Sequence, residues 1–179
     1  RVLFRSTLAS GKGRRILFTR TKFQTQKLAK DLTQNGIPAA ELHGNLSQNQ
    51  RDRNLAAFNS GDVNVMVATD VAARGIDVSG VELVVQVEPP EDPKSFLHRC
   101  GRTARAGHSG DVVTIILPNQ RRRTRRMMRE AGLTVEPIDV TPDSPEVLEL
   151  VGEVAEPVFG WTLEQSQPVG NPRRRKNGK

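Results

Sequence analysis

This chain of 179 residues has one cysteine, three histidines, no tyrosine and only 4% aromatic residues. The lone Cys100 excludes an internal disulfide and fits a reducing compartment. His43, His98 and His108 show no metal-ligand spacing with it, which argues against a zinc site. The absence of tyrosine makes base stacking on an aromatic platform an unobvious mode of recognition. No apolar run approaches the roughly 20 residues that span a bilayer. The opening Arg1–Val2–Leu3–Phe4–Arg5–Ser6 is too short in its apolar part for a signal peptide and begins without Met. We therefore expect a fragment or processed form with no membrane partner, monomeric, in a cytoplasmic setting.

What the chain has in excess is positive charge. Its formal net charge is +7 and its pI about 10.3, which favours an anionic partner, most simply nucleic acid. The charge is uneven. Arg121, Arg122, Arg123, Arg125, Arg126 and Arg129 form one cluster, and Arg173, Arg174, Arg175, Lys176 and Lys179 another. The first reads either as a solvated helix face or as an accessory nucleic-acid contact, the second either as a nucleic-acid tether or as a solubilising end.

Short apolar runs alternate with amphipathic stretches. Ile16–Leu17–Phe18, Ala39–Ala40–Glu41–Leu42, Val63–Ala68, Val81–Val87 and Val112–Leu117 read as strands. Thr21-x-x-Gln24 and Ser47-x-x-Gln50 are capping-box patterns that open helices, ended by Gly36 and near Gly61. Asp92–Pro93 opens a third helix, and Gln120 to Ala131 reads as a basic helix with Gly132 at its cap. This alternation predicts an α/β fold with a mostly parallel sheet covered on both faces. In such sheets ligands sit beyond the carboxyl ends of the strands, which places the loops after Phe18, Leu42, Ala68 and Val87 on one edge. The pattern fades after Pro137, with one short helix expected around Glu146–Val151. Residues 165–179 have the composition of a disordered basic tail.

Four polar constellations sit at those strand ends. His98–Arg99–Cys100–Gly101–Arg102–Thr103–Ala104–Arg105 sets three arginines three residues apart. On a helix each is turned by about 60° from the last, giving a broad face suited to a polyanion. Ala68–Thr69–Asp70–Val71–Ala72–Ala73–Arg74–Gly75–Ile76–Asp77 puts polar groups and a glycine on a strand-end loop, where Asp77 can accept from a ribose hydroxyl. His43–Gly44–Asn45–Leu46–Ser47–Gln48–Asn49–Gln50–Arg51 and Thr19–Arg20–Thr21–Lys22 each lead into a helix N-terminus, where free N–H groups can hold a phosphate. Each alone also fits an ordinary capped turn or a solvated basic face.

Taken together and in chain order, these segments resemble motifs IV, IVa, V and VI of the C-terminal RecA-like domain of DEAD-box RNA helicases, of superfamily 2, over about residues 10–135. The resemblance implies a three-layer α/β/α sandwich over 1–137, a C-terminal extension over 138–164 that packs loosely or serves as a linker, and the tail. It implies that Arg102 and Arg105 are arginine fingers on ATP, and that Gly75 and Asp77 touch its ribose. It implies that Thr21, Gly44, Asn45, Gln48, Arg51, Thr69 and Arg74 hold the RNA backbone. His98 and Arg99 would link to the other domain, and Asp70 would organise its own loop through local hydrogen bonds. Two positions depart from the pattern: Asn45 stands where many relatives have Asp, and Cys100 where an aliphatic residue is more usual.

The family's ATPase also needs a P-loop, G-x-x-x-x-G-K-[ST]. Ser10–Gly11–Lys12–Gly13 is the nearest approach and reads as a linker turn, and no Asp-Glu-Ala-Asp occurs. The resemblance therefore implies that an N-terminal RecA-like domain supplies the phosphate cradle and the Mg²⁺ ligand. This chain would complete the ATP site on closure and be inactive alone. The alternatives are a non-catalytic RNA-binding module of the same fold and one half of a superfamily 2 DNA translocase.

Overall fold

The structure is a computed structural model and describes residues 2–78, 80–103 and 109–163. Five strands form one sheet in the order β2-β3-β1-β4-β5. They are β1 (Arg14–Thr19), β2 (Ala39–Leu42), β3 (Val65–Thr69), β4 (Val81–Gln86) and β5 (Asp111–Thr114), and every pairing is parallel. The helices are α1 (Val2–Ala9), α2 (Lys22–Gln34), α3 (Gln48–Ser60), α4 (Asp70–Ala73), α5 (Pro93–Cys100), α6 (Arg121–Glu130) and α7 (Pro145–Val151). The expected α/β sandwich is thus present, with β1 at its centre.

Alternate strand residues feed two core layers, as the pleat requires. Ile16, Phe18, Leu42, Met66, Ala68 and Val84 pack with Ala57 and Phe58 of α3 and Ala72 and Ala73 of α4. Leu17, Val65, Val67, Leu83 and Val85 pack with Leu28, Ala29 and Leu32 of α2, Leu8 of α1 and Val147 of α7. Strands buried on both faces explain the continuous apolar runs of β1, β3 and β4. Both capping boxes form, at Thr21/Gln24 and Ser47/Gln50, and Gly61 closes α3 at φ +86°. Asp92 caps α5 through the Ser95 N–H at 2.8 Å. The Ser95 donors hold the Asp92 carboxyl below its usual range, so the cap acts at neutral pH and is lost as pH falls through that lowered value.

Several boundaries differ from expectation. Helix α1 has neither an acidic first turn nor a basic last turn, which left no local signal for it. Strand β5 stops at Thr114, whose partner Gln86 is the last residue of β4, so Ile115–Leu117 continue beyond the ladder. The stretch read as a linker turn is instead packed. Lys12 N–H donates to the Glu153 carbonyl, Ala155 N–H donates to that of Ser10, and Gly11 bridges Val154. Beneath it lies Arg15, 2% exposed, whose guanidinium donates to the carbonyls of Leu8 (2.6 Å), Gly13 (3.0 Å) and Val151 (2.9 Å). Leu8 and Val151 lie in the last turns of α1 and α7, where a cation complements the negative end of the helix dipole. The basic tail lies outside the described residues.

Half of the arginines of α6 have acidic partners. Arg121 pairs with Asp139, Arg125 with Glu136 and Arg126 with Glu130. The pairs to Asp139 and Glu136 fasten the segment after α6 back onto the helix.

Candidate functional site

Because every strand is parallel, the loops after β1, β2, β3 and β4 all emerge on one edge of the sheet. This is the edge on which ligands of such sheets bind. Here the ends of β1, β3 and β4 are joined by one side chain. Arg99, in the last turn of α5, is 2% exposed. Its Nε and Nη2 donate to the two carboxylate oxygens of Asp70 at 2.6 and 2.7 Å, a bidentate pair at the start of α4. Its Nη1 donates to the Glu88 carbonyl at 3.0 Å and to Gln86 Oε1 at 3.4 Å. Its guanidinium lies 5.3 Å from the centroid of the Phe18 ring on β1.

This geometry bears on three expectations. Arg99 and Arg102 do not share one helix face, because α5 ends at Cys100 and Arg102 lies in the turn that follows. Of the pair expected to link to the other domain, Arg99 points into this one, while His98 is exposed. Asp70 does not act through local bonds, since its partner is 29 residues away in sequence. Arg105 lies outside the described residues.

Above the Arg99–Asp70 pair opens a shallow cleft walled by Arg74, His98 and Arg102. Arg102 Nη1 donates to the Ile76 carbonyl at 2.9 Å, so the turn after α5 is tied to the loop after α4. That loop exposes Gly75 and Asp77 beside it. Gly75 has φ +77°, a conformation side chains resist, and a Cβ there would meet nothing within 4 Å. The backbone is therefore open to close approach. Cys100 is half-buried and burial pushes its thiol up, which fits a small apolar filler and disfavours a thiolate.

The other predicted contacts form a second row along the same edge. Thr21 caps α2, its Oγ1 accepting from Gln24 N–H at 3.2 Å. Gly44 and Asn45 are exposed at the corner between β2 and α3. Gln48 donates to Asp52 at 2.7 Å. Arg51 Nη2 donates to the Ala72 carbonyl at 2.7 Å, which couples α3 to α4. Thr69 precedes α4 without a side-chain capping bond, and Arg74 is exposed just after it. Among the described residues, no group of three or more His, Cys, Asp and Glu side chains converges on a metal position.

Sequence reasoning missed the supports of Arg99. Gln86 carried a readable signal: a lone amide inside an apolar strand needs a buried partner. It is 0% exposed and meets Arg99. Phe18 carried no such signal, because a phenylalanine in a strand reads as ordinary core.

Comparison with known proteins agrees with this fold. The helicase conserved C-terminal domain matches residues 2–107. A DEAD-box ATP-dependent RNA helicase 7 from Oryza sativa subsp. japonica is 39% identical over 166 residues, covering 89% of this chain and 23% of its own length. A structure of S. cerevisiae Dbp5 bound to RNA and ADP BeF3 superposes with TM-score 0.68 at 27% identity, over 84% of this chain and 41% of that one. A structure of E. coli DEAD-box protein SrmB bound to regulator of ribonuclease activity A superposes with TM-score 0.65 at 30% identity, over 88% of this chain and 92% of that one. The chain spans about a fifth to a quarter of the length of the first curated relatives it matches. A parallel sheet of this order, a strand-end edge gathering the four motifs, and these likenesses place the chain in the helicase conserved C-terminal domain family, as the C-terminal RecA-like domain of a DEAD-box helicase.

Proposed function

We propose that this domain is the second RecA-like half of an ATP-dependent RNA helicase. It would supply arginine fingers to ATP and sequence-independent contacts to the RNA backbone when it closes on an N-terminal ATPase domain. The observation that carries this reading is the tie between Arg102 and the Ile76 carbonyl. It sets a guanidinium beside the exposed Gly75–Asp77 loop at the mouth of one cleft.

The residues present fit a nucleotide that approaches from outside. Gly75 leaves room for a ribose, Asp77 can accept from its hydroxyls, and Arg102 meets negative charge. ATP supplies the phosphoanhydride, and in this reading Mg²⁺ is held by the partner domain. Arg102 and Arg105 oppose charge that develops on the transferring phosphoryl group, which works only when the two domains close. Thr21, Gly44, Asn45, Gln48, Arg51, Thr69 and Arg74 line the backbone track. Contacts to sugar and phosphate carry no base identity, so grip is general. His98, exposed at the cleft, is the remaining candidate for a contact to the other domain.

Two expected outcomes test the reading. Arg74→Ala weakens binding of the chain to single-stranded RNA by a similar factor for every homopolymer. It also lowers the slope of log affinity against log salt by about 0.7. Unchanged affinity and slope would remove Arg74 from the RNA track. The purified chain alone shows neither ATP hydrolysis nor duplex unwinding, and RNA-stimulated hydrolysis by it would overturn the division of labour between the domains.

A further inference from the structure

Building on the RNA track above, we infer that His43 is a positioning residue that shapes the Gly44–Asn45 corner through one ring nitrogen, as a side-chain mimic of a turn. His43 follows β2 and is 2% exposed. Its Nδ1 accepts the backbone N–H of Asn45 at 3.2 Å, and its carbonyl accepts the N–H of Leu46 at 3.3 Å. These two bonds fold residues 43–46 back on themselves and turn Gly44 and Asn45 outward.

The other nitrogen contributes nothing comparable. Among the described residues Nε2 is buried without a hydrogen-bond partner, and the carboxylate oxygen Glu41 Oε1 lies 3.6 Å away. An Nδ1 that accepts leaves the ring proton on Nε2, so the neutral tautomer is set by the Asn45 N–H. A buried imidazole with one orphaned nitrogen is a poor choice for packing alone, since an apolar side chain of similar size would leave no polar atom unsatisfied. Its one made bond goes to the corner that would face RNA. Gly44 has nothing within 4 Å of where a Cβ would stand, so the corner itself is open to a ligand.

The bond joins a side chain to the backbone N–H two residues on, which is the geometry of an Asx-turn. Asparagine Oδ1 lies as many bonds from Cα as histidine Nδ1, whereas the glutamine amide lies one bond further, near the place of Nε2. The two amides therefore separate the two nitrogens.

The test compares His43→Asn and His43→Gln in the whole chain, using fluorescence anisotropy with a labelled oligouridylate, thermal melting, and exchange of the Asn45 amide by NMR. His43→Asn is expected to keep RNA affinity within about twofold and Asn45 protection near wild type. His43→Gln is expected to lose about fivefold in affinity, the worth of one ordinary hydrogen bond, and to speed Asn45 exchange. A merely structural histidine would show RNA affinity following the melting temperature in both variants. Equal affinity and equal Asn45 exchange in the two variants would overturn the inference, as would rescue by glutamine and not asparagine. Should Arg74→Ala leave RNA binding unchanged while Asn45 exchange still separates the two variants, the RNA track fails and the turn-shaping role stands. If His43→Gln fails to fold, exchange at Asn45 in folded His43→Asn decides, with lost protection overturning the role.

Discussion

Replacing Arg102 by alanine, in a protein where this domain follows its ATP-binding partner, is expected to lower RNA-stimulated ATP hydrolysis by about 10³-fold or more. The loss should fall on kcat more than on KM, because charge on the phosphoryl oxygens is greatest in the transition state. Arg102 also donates to the Ile76 carbonyl, so alanine loosens the loop carrying Gly75 and Asp77. Arg102→Lys separates the two effects. It keeps a positive charge but loses the planar fork, and it should remain far below wild type in rate. Melting temperatures of both variants near wild type would assign the loss to chemistry. A rate within tenfold of wild type for Arg102→Ala would remove it from catalysis.

Arg15→Ala is expected to cost about 3–5 kcal/mol of folding stability, a large share of what a domain of this kind has. The change strands three carbonyls, those of Leu8, Gly13 and Val151, around a hole where the guanidinium was. Two of them end helices, so the dipole complement is lost as well. Burial pulls Arg15 below the usual arginine value and Glu82 opposes that pull, yet an arginine stays charged throughout. At this chain length the loss corresponds to a melting temperature lower by about 10 °C. Gly11→Ala should also be severe, because a Cβ at Gly11 would collide with the Arg15 guanidinium and the Val151 carbonyl. Its cost should shrink in the Arg15→Ala background, where one of those obstacles is gone. A loss under about 1 kcal/mol for Arg15→Ala would mean that the three carbonyls find water instead.

The contrast between these two arginines reflects what a linear reading can and cannot reach. Arg102 could be singled out from the sequence because it sits in a spaced motif. The capping boxes at Thr21/Gln24 and Ser47/Gln50 were legible for the same reason, and both form. Arg15 was not, because its meaning depends on Val151, 136 residues away. In the sequence it stands beside Arg14 at the edge of an apolar run, with no local pattern to single it out. Spacing misled for Arg99, since a three-residue repeat implies a shared face only while the helix lasts, and α5 ends at Cys100. Arg99 lies inside the helix, and the half-exposed carboxylate of Asp70 and the buried amide of Gln86 fix where it points. The sheet order was legible only as a class. That β1 is central, with β3 and β4 on either side, follows from crossovers that no strand sequence specifies.

The buried guanidinium of Arg99 has a thermodynamic consequence for whatever settles on this edge. An arginine side chain gives up about 2 kcal/mol of rotational freedom when it is fixed. Here that loss, together with the ordering of Asp70 and the adjoining backbone, occurs when the domain folds. A ligand arriving later meets loops whose disorder has already been removed. Its binding entropy should therefore reflect released water and ions more than any stiffening of the protein beneath it.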